Sequence, residues 1–154
     1  MSHNIAAPPP GIYTPFPPFY HDEQSHSIDL TKLLRHVSRL AKAGITGLLI
    51  NSPSVFPRHT AHAEGVSLIR SIRAHISGLG YGKFTIIASI PAANVRRALE
   101  EIDGVKGAGA DYALVIPPVQ GKGNRSFNGP AVMGFVYDVS VDCSAVFIAS
   151  DLDV

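Results

Sequence analysis

The chain has 154 residues, 45% of them apolar and 16% charged, with a formal charge of +1. That is enough apolar chain for one ordinary core and too much for a disordered polymer, and the near-neutral charge argues against broad attraction to nucleic acid or to an anionic membrane surface. No apolar run reaches the roughly 18 residues that span a bilayer, and the single cysteine, Cys143, excludes an internal disulfide and suits a reducing, cytoplasmic setting.

Residues 1–10, ending in Pro8, Pro9 and Pro10, read as a disordered or extended leader that favours polyproline II. They lack the basic-then-apolar pattern of a secretory signal. Gly11 to Tyr20 is apolar and aromatic. Pro15, Pro17 and Pro18 have no backbone donor, so any strand here is short, near Ile12–Thr14. His21 to Ser27 is a polar loop. Asp29 then caps a helix over Leu30–Ala43, with Leu30, Leu33, Leu34, Val37, Leu40 and Ala41 at the spacing of one buried face. Gly44 supplies the positive φ of a helix C-cap. Ile45–Ile50 is an apolar run with no polar alternation beyond Thr46, which suits a strand covered on both faces. Asn51 and Ser52 open a polar loop at its C-terminal end, where parallel α/β folds bind ligands.

The helix-to-strand step then repeats. Thr60 caps a second helix over Ala61–Ile76, with Glu64 near its first turn. Val66, Leu68, Ile69, Ile72 and Ile76 form its apolar side, and Arg70, Arg73 and His75 are expected to be mostly exposed. Gly78 to Gly82 stops it, and Phe84–Ala88 is the next strand. Ala93–Lys106 is a third helix with Val95, Ala98, Leu99, Ile102 and Val105 inward, ended by Gly107 and Gly109. Tyr112–Ile116 is a fourth strand. Strands joined through helices are parallel. By pattern alone, an open doubly wound sheet and part of a (β/α)8 barrel both satisfy this order. Beyond Pro118 the rhythm stops. Val119 to Pro130 is Gly-rich and basic, and Ala131–Tyr137 and Ala145–Ala149 are apolar enough for two strands with no long helix between them. The chain therefore divides into a leader at 1–10, a domain at 11–118 and a divergent tail at 119–154.

Several groupings invite a functional reading and lose it on geometry. His59, His62 and Glu64 lie within six residues, but 62 and 64 point apart on a helix, so a solvated helix start is expected rather than a metal site. Gly121-Lys-Gly-Asn-Arg125 lacks the spacing of a phosphate loop and has no helix after it. Arg70, Arg73, Arg96 and Arg97 are expected on solvated helix faces. Tyr13 and Thr14 fall on the first strand, where an inward tyrosine packs. Cys143 has no basic neighbour in sequence to activate it, so it reads as a structural thiol. No cofactor is implied.

Four strings carry a resemblance: Gly11-Ile-Tyr-Thr-Pro-Phe, Leu40-Ala-Lys-Ala-Gly-Ile-Thr-Gly-Leu-Leu-Ile-Asn, Glu64 through Arg73, and Ala108-Gly-Ala-Asp-Tyr-Ala-Leu-Val-Ile-Pro-Pro118. Over about residues 8–118 the chain resembles the dihydrodipicolinate synthase/N-acetylneuraminate lyase family, nearest to fungal aldolases of 2-keto-3-deoxy sugar acids or 4-hydroxy-2-oxoglutarate. The resemblance implies a (β/α)8 barrel that forms a Schiff base between a lysine and a 2-oxo acid such as pyruvate. The family's second strand is followed by Gly-Ser/Thr-Thr-Gly-Glu, whose hydroxyls and amides hold the substrate carboxylate. Here the interval reads Ser52-Pro-Ser-Val-Phe56. Only Ser54 falls where a hydroxyl residue belongs, so Ser54 alone is carried over as a carboxylate-binding residue.

The resemblance stops before the family's fifth-strand tyrosine and sixth-strand lysine, and Val119 and Gln120 stand where a further relay tyrosine is expected. Pro130-Ala-Val-Met-Gly-Phe-Val-Tyr137 is only faintly similar to the tyrosine-bearing strand. Lys32, Lys42 and Lys106 fall in helices, Lys83 precedes a strand and Lys122 lies in a loop. None is placed at a strand's C-terminal end, where a Schiff-base amine would be desolvated. The expectation is the first half of a barrel, four strands and three helices, with no catalytic residue of its own. Such a chain is inactive alone, and forms a homo-oligomer or a complex with a full-length relative. The alternative is a truncated, non-catalytic paralogue acting as an interaction or regulatory subunit.

Overall fold

The computed structural model describes residues 7–22, 27–51, 62–91, 94–116 and 146–148. Within them the order is β1 (Tyr13–Pro15), α1 (Leu30–Lys42), β2 (Gly47–Ile50), α2 (His62–Gly78), β3 (Thr85–Pro91), α3 (Val95–Gly107), β4 (Tyr112–Ile116) and β5 (Val146–Ile148). All neighbouring strands pair in parallel, and the spatial order β1-β2-β3-β4-β5 follows the chain. A doubly wound sheet reverses its strand order at a switch point. This one never reverses, so the partial (β/α)8 barrel is the architecture.

The local expectations hold with small shifts. Asp29 caps α1, its Oδ1 accepting the Lys32 amide at 3.0 Å. The Ala43 and Gly44 amides close the helix onto Arg39 and Ala41, and Gly44 takes φ +83°, where a Cβ would be strained. Asn94 caps α3 in the same way through the Arg97 amide. The first strand sits one residue later than expected, because the Pro15 carbonyl side still pairs with Leu49 and the Phe16 amide donates to Leu49 O at 3.0 Å.

One face of the sheet is filled by the helices. Leu48, Ile50, Ile86, Ala88, Ile90, Ala113 and Val115 pack with Leu33 and Val37 of α1, Ile69, Ile72 and Ile76 of α2, and Ile102 and Val105 of α3. Side chains alternate along a strand, so Leu49, Ile87, Ser89, Tyr112 and Leu114 belong to the opposite, concave face. There Leu49, Ile87 and Leu114 are only half-buried.

Two side chains expected on the solvent side are structural instead. Arg73 donates from Nε to Gly109 O at 2.9 Å and from Nη1 to Phe84 O at 3.0 Å, and pairs through Nη2 with Asp111. Asp111 in turn accepts the Ile86 amide at 2.8 Å. The arginine thus joins the end of α2 to the starts of β3 and β4. His75 meets Ser38 Oγ at 2.7 Å, linking α1 to α2. Residues at these positions face solvent on an isolated helix; the neighbouring strands and helix turn them inward.

The segment before β1 is strapped to the sheet. Tyr13 Oη on β1 donates to Pro9 O at 2.6 Å, and Tyr112 Oη on β4 contacts Ala7 O at 3.4 Å. Thr46 accepts the Ile12 amide on its hydroxyl and returns its own amide to Ile12 O. At the other edge, β5 falls inside the expected Ala145–Ala149 run and pairs with β4. Of the two apolar runs in the tail, the one seen beside β4 is Val146–Ile148, and Ala131–Tyr137 lies outside the described residues.

Candidate functional site

The C-terminal ends of the strands are the place to look, since barrel active sites form there. Four described residues gather at them. Asn51 follows β2 and takes φ +62°, the left-handed region that asparagine tolerates better than most residues. Its carboxamide lies against Gly65 in α2, where a Cβ would meet Asn51 Nδ2 at 2.3 Å. The glycine is therefore required by the asparagine, and the pair ties the end of β2 to the first turns of α2. Asn51 Oδ1 is buried without a hydrogen-bond partner.

Ser89 is the second such group. It lies near the end of β3, paired in register with Leu114, and is 3% exposed, and its Oγ also has no partner. The other two residues at this end are Tyr20, beyond β1, and Glu64, in the first turn of α2. Burial first, and the Glu64 carboxylate second, hold the Tyr20 phenol above its ordinary pKa. Tyr20 is fixed by a bridge to Ile28, and the loop between them closes through His21 N–H to Ser27 O.

Asp29 stands near this end too, but it is fully engaged. The Lys32 amide first, then the Lys32 ammonium and His21, hold its carboxyl below the usual range against the opposing effect of burial. The neighbouring Phe16 and Phe19 rings pack on His36 at centroid distances of 5.7 and 5.4 Å. These contacts anchor α1 on β1.

Ser54, the expected carboxylate ligand, lies outside the described residues, as do Thr60, His59, Lys122, Cys143 and the Gly121–Arg125 loop. Among the described residues no three His, Cys, Asp or Glu side chains come together to hold a metal. The described lysines stay where the sequence put them: Lys32 and Lys42 in α1, Lys106 in α3, and Lys83 exposed before β3. Ser89 and Gly65 carry no motif signal. Ser89 is visible only once β3 is known to run past Ala88, and Gly65 only once Asn51 is seen beside it.

The fold and its polar strand ends define the class, a (β/α)8-barrel protein represented by its first strands. No family model matches the chain. An L-threo-3-deoxy-hexylosonate aldolase of Aspergillus niger is 31% identical over 109 residues, 71% of this chain and 32% of that protein. A Coccidioides immitis protein that carries the name 4-hydroxy-2-oxoglutarate aldolase, mitochondrial, is 33% identical over 133 residues, 86% of this chain and 40% of that protein. A crystal structure of a dihydrodipicolinate synthase family protein from Coccidioides immitis superposes with a TM-score of 0.77 at 30% identity, covering 96% of this chain and 45% of that one. The chain belongs to the dihydrodipicolinate synthase/N-acetylneuraminate lyase family. It spans about a third to two-fifths of the length of the curated relatives it matches.

Proposed function

We propose that this chain carries the carboxylate-binding side of a Schiff-base aldolase acting on 2-oxo acids, of the 2-keto-3-deoxy sugar acid or 4-hydroxy-2-oxoglutarate type, and that it does not perform the reaction by itself. The observation that carries this reading is the placement of the lysines. A Schiff-base amine must be desolvated to be neutral and nucleophilic near pH 7. Every described lysine is in a helix or in the exposed turn before β3, and Lys32, which stands nearest the C-terminal ends of the strands, is exposed and paired with Asp29 rather than desolvated. The names of the relatives support the aldolase class. Pyruvate plus borohydride, followed by intact mass, tests it: the expected result is no reducible adduct. A stoichiometric mass gain on one lysine overturns it and directs attention to Lys83 or Lys122.

A second reading is favoured by the concave face. Leu49, Ile87 and Leu114 are half-buried there, where a complete barrel would enclose them. This supports a half-barrel that associates with a second copy or with a full-length relative, as an interaction or regulatory subunit. Size exclusion with light scattering tests it, and a monodisperse monomer with a cooperative melt would overturn it. No nucleic acid, membrane or cofactor belongs to either reading. No helix among the described residues is long and apolar enough to cross a membrane. The cytoplasm is the proposed compartment, although the name of the Coccidioides immitis relative says mitochondrial. Organelle fractionation separates the two.

A further inference from the structure

Ser89 is the one described residue that combines deep burial, a hydroxyl without a partner and a position on the concave face near the strands' C-terminal ends. Its neighbours on that face make the hydroxyl an anomaly. Ile87 precedes it on the same face of β3, and Leu114 pairs with it across β4. Both are apolar. A serine hydroxyl buried beside them and left unpaired is destabilising, by more than an ordinary hydrogen bond gains. An alanine in the same place would fill nearly the same volume without that cost. Among the described residues, Ser89 Oγ and Asn51 Oδ1 are the buried side-chain oxygens without a partner, and both stand at the end of the sheet where barrel ligands bind.

We infer that Ser89 is a ligand-binding residue whose Oγ–H donates to an oxygen of the bound 2-oxo acid, with Ile87 and Leu114 as the apolar floor beneath it. The inference rests on the 2-oxo acid reading above and adds a binding residue on the third strand. The chemistry fits that class. A 2-oxo acid presents carboxylate and keto oxygens that only accept, and a serine hydroxyl is a single donor that can rotate to meet either. A hydrogen bond to the carboxylate would be charge-assisted, the stronger kind. Asn51 Oδ1 is the other buried unpaired atom at this end, but an amide oxygen only accepts and so cannot meet the acceptor oxygens of a 2-oxo acid. It is not assigned to the ligand.

The test measures two properties of the same pair of proteins, wild type and Ser89→Ala. Thermal unfolding is followed without ligand, and pyruvate, 2-oxobutyrate and acetate are titrated while backbone amide shifts are recorded. Relief of an unpaired hydroxyl predicts that Ser89→Ala melts at a higher temperature than wild type. Loss of a donor to a charged oxygen predicts that it binds pyruvate about tenfold more weakly, or worse. Acetate, which lacks the keto oxygen, separates the two acceptors. An equal loss for acetate assigns the bond to the carboxylate, and a loss confined to the 2-oxo acids assigns it to the keto oxygen. Wild-type binding that Ser89→Ala leaves unchanged overturns the role of Ser89 and spares the 2-oxo acid reading. A lower melting temperature for the variant also overturns it, because the hydroxyl would then have a structural partner such as a held water. Failure of wild type to bind either 2-oxo acid defeats the parent reading itself, and this proposal with it.

Discussion

The two ends of the sheet are built differently. At the N-terminal ends of the strands, polar groups answer one another. Arg73 spans Gly109, Phe84 and Asp111, Asp111 returns to the Ile86 amide, Thr46 exchanges with Ile12, and Tyr13 holds Pro9. At the C-terminal ends, Asn51 sits in a left-handed conformation with a buried unpaired oxygen, and Ser89 keeps a buried unpaired hydroxyl. One end is arranged to lower the free energy of the fold. The other tolerates unmet polar groups, which is the expected signature of a site for something else. Asp29 shows that position alone does not decide this, since it stands near the second end and is fully partnered.

The contrast predicts unequal responses to substitution. The largest effect is expected at Arg73, whose side chain is 21% exposed. Arg73→Ala leaves the Phe84 and Gly109 carbonyls unpaired and should cost about 2–4 kcal/mol of stability by denaturant unfolding. The Asp111 partner is half-exposed, so Asp111→Asn should cost much less. Equal losses would mean that the ion pair, not the carbonyl contacts, carries the joint. Lysine at 73 should recover only part of the loss, because an ammonium cannot reach three acceptors in the same plane.

A smaller effect is expected at the opposite end. Gly65→Ala improves helix propensity but drives a Cβ into Asn51, so it should destabilise by about 1 kcal/mol net. In an Asn51→Gly background the obstacle is gone and the left-handed φ is still allowed. There Gly65→Ala should stabilise by about 0.5–1 kcal/mol. A double-mutant cycle with no coupling would show that the two residues do not meet.

The smallest effect depends on pH. Asp29 has its folded pKa held below the ordinary value of 3.8, so the unfolded chain takes up its proton first as pH falls. Its contribution is complete above about pH 4 and is lost as pH drops through the folded pKa. Asp29→Asn keeps a capping oxygen but removes the charge, so it should lower the neutral plateau slightly and flatten the acid limb, with the two proteins converging below the folded pKa. An unaltered acid limb would show that other carboxylates set it.

The sequence by itself determined the elements and the helix-facing core. Apolar spacing in Leu33–Val37–Ala41, Ile69–Ile72–Ile76 and Ala98–Ile102–Val105 is a local property, and so are the caps at Asp29 and Gly44. A 3.6-residue period and a short polar side chain act within one or two turns, whatever else the chain does. The resemblance in residues 8–118 added the family, which the relatives bear out. Only the tertiary structure decided that the strands run in unbroken order, and so form part of a barrel. It also turned Arg73 inward, placed Val146–Ile148 beside β4, and left Ser89 unpaired. Each of these depends on which distant segment comes to lie alongside, with Arg73 and Asp111 separated by 38 residues and β4 and β5 joined by a long intervening stretch of chain. A local pattern shows that a side chain has polar or apolar character. Whether a hydroxyl or guanidinium finds a partner is settled by the neighbours that folding brings to it.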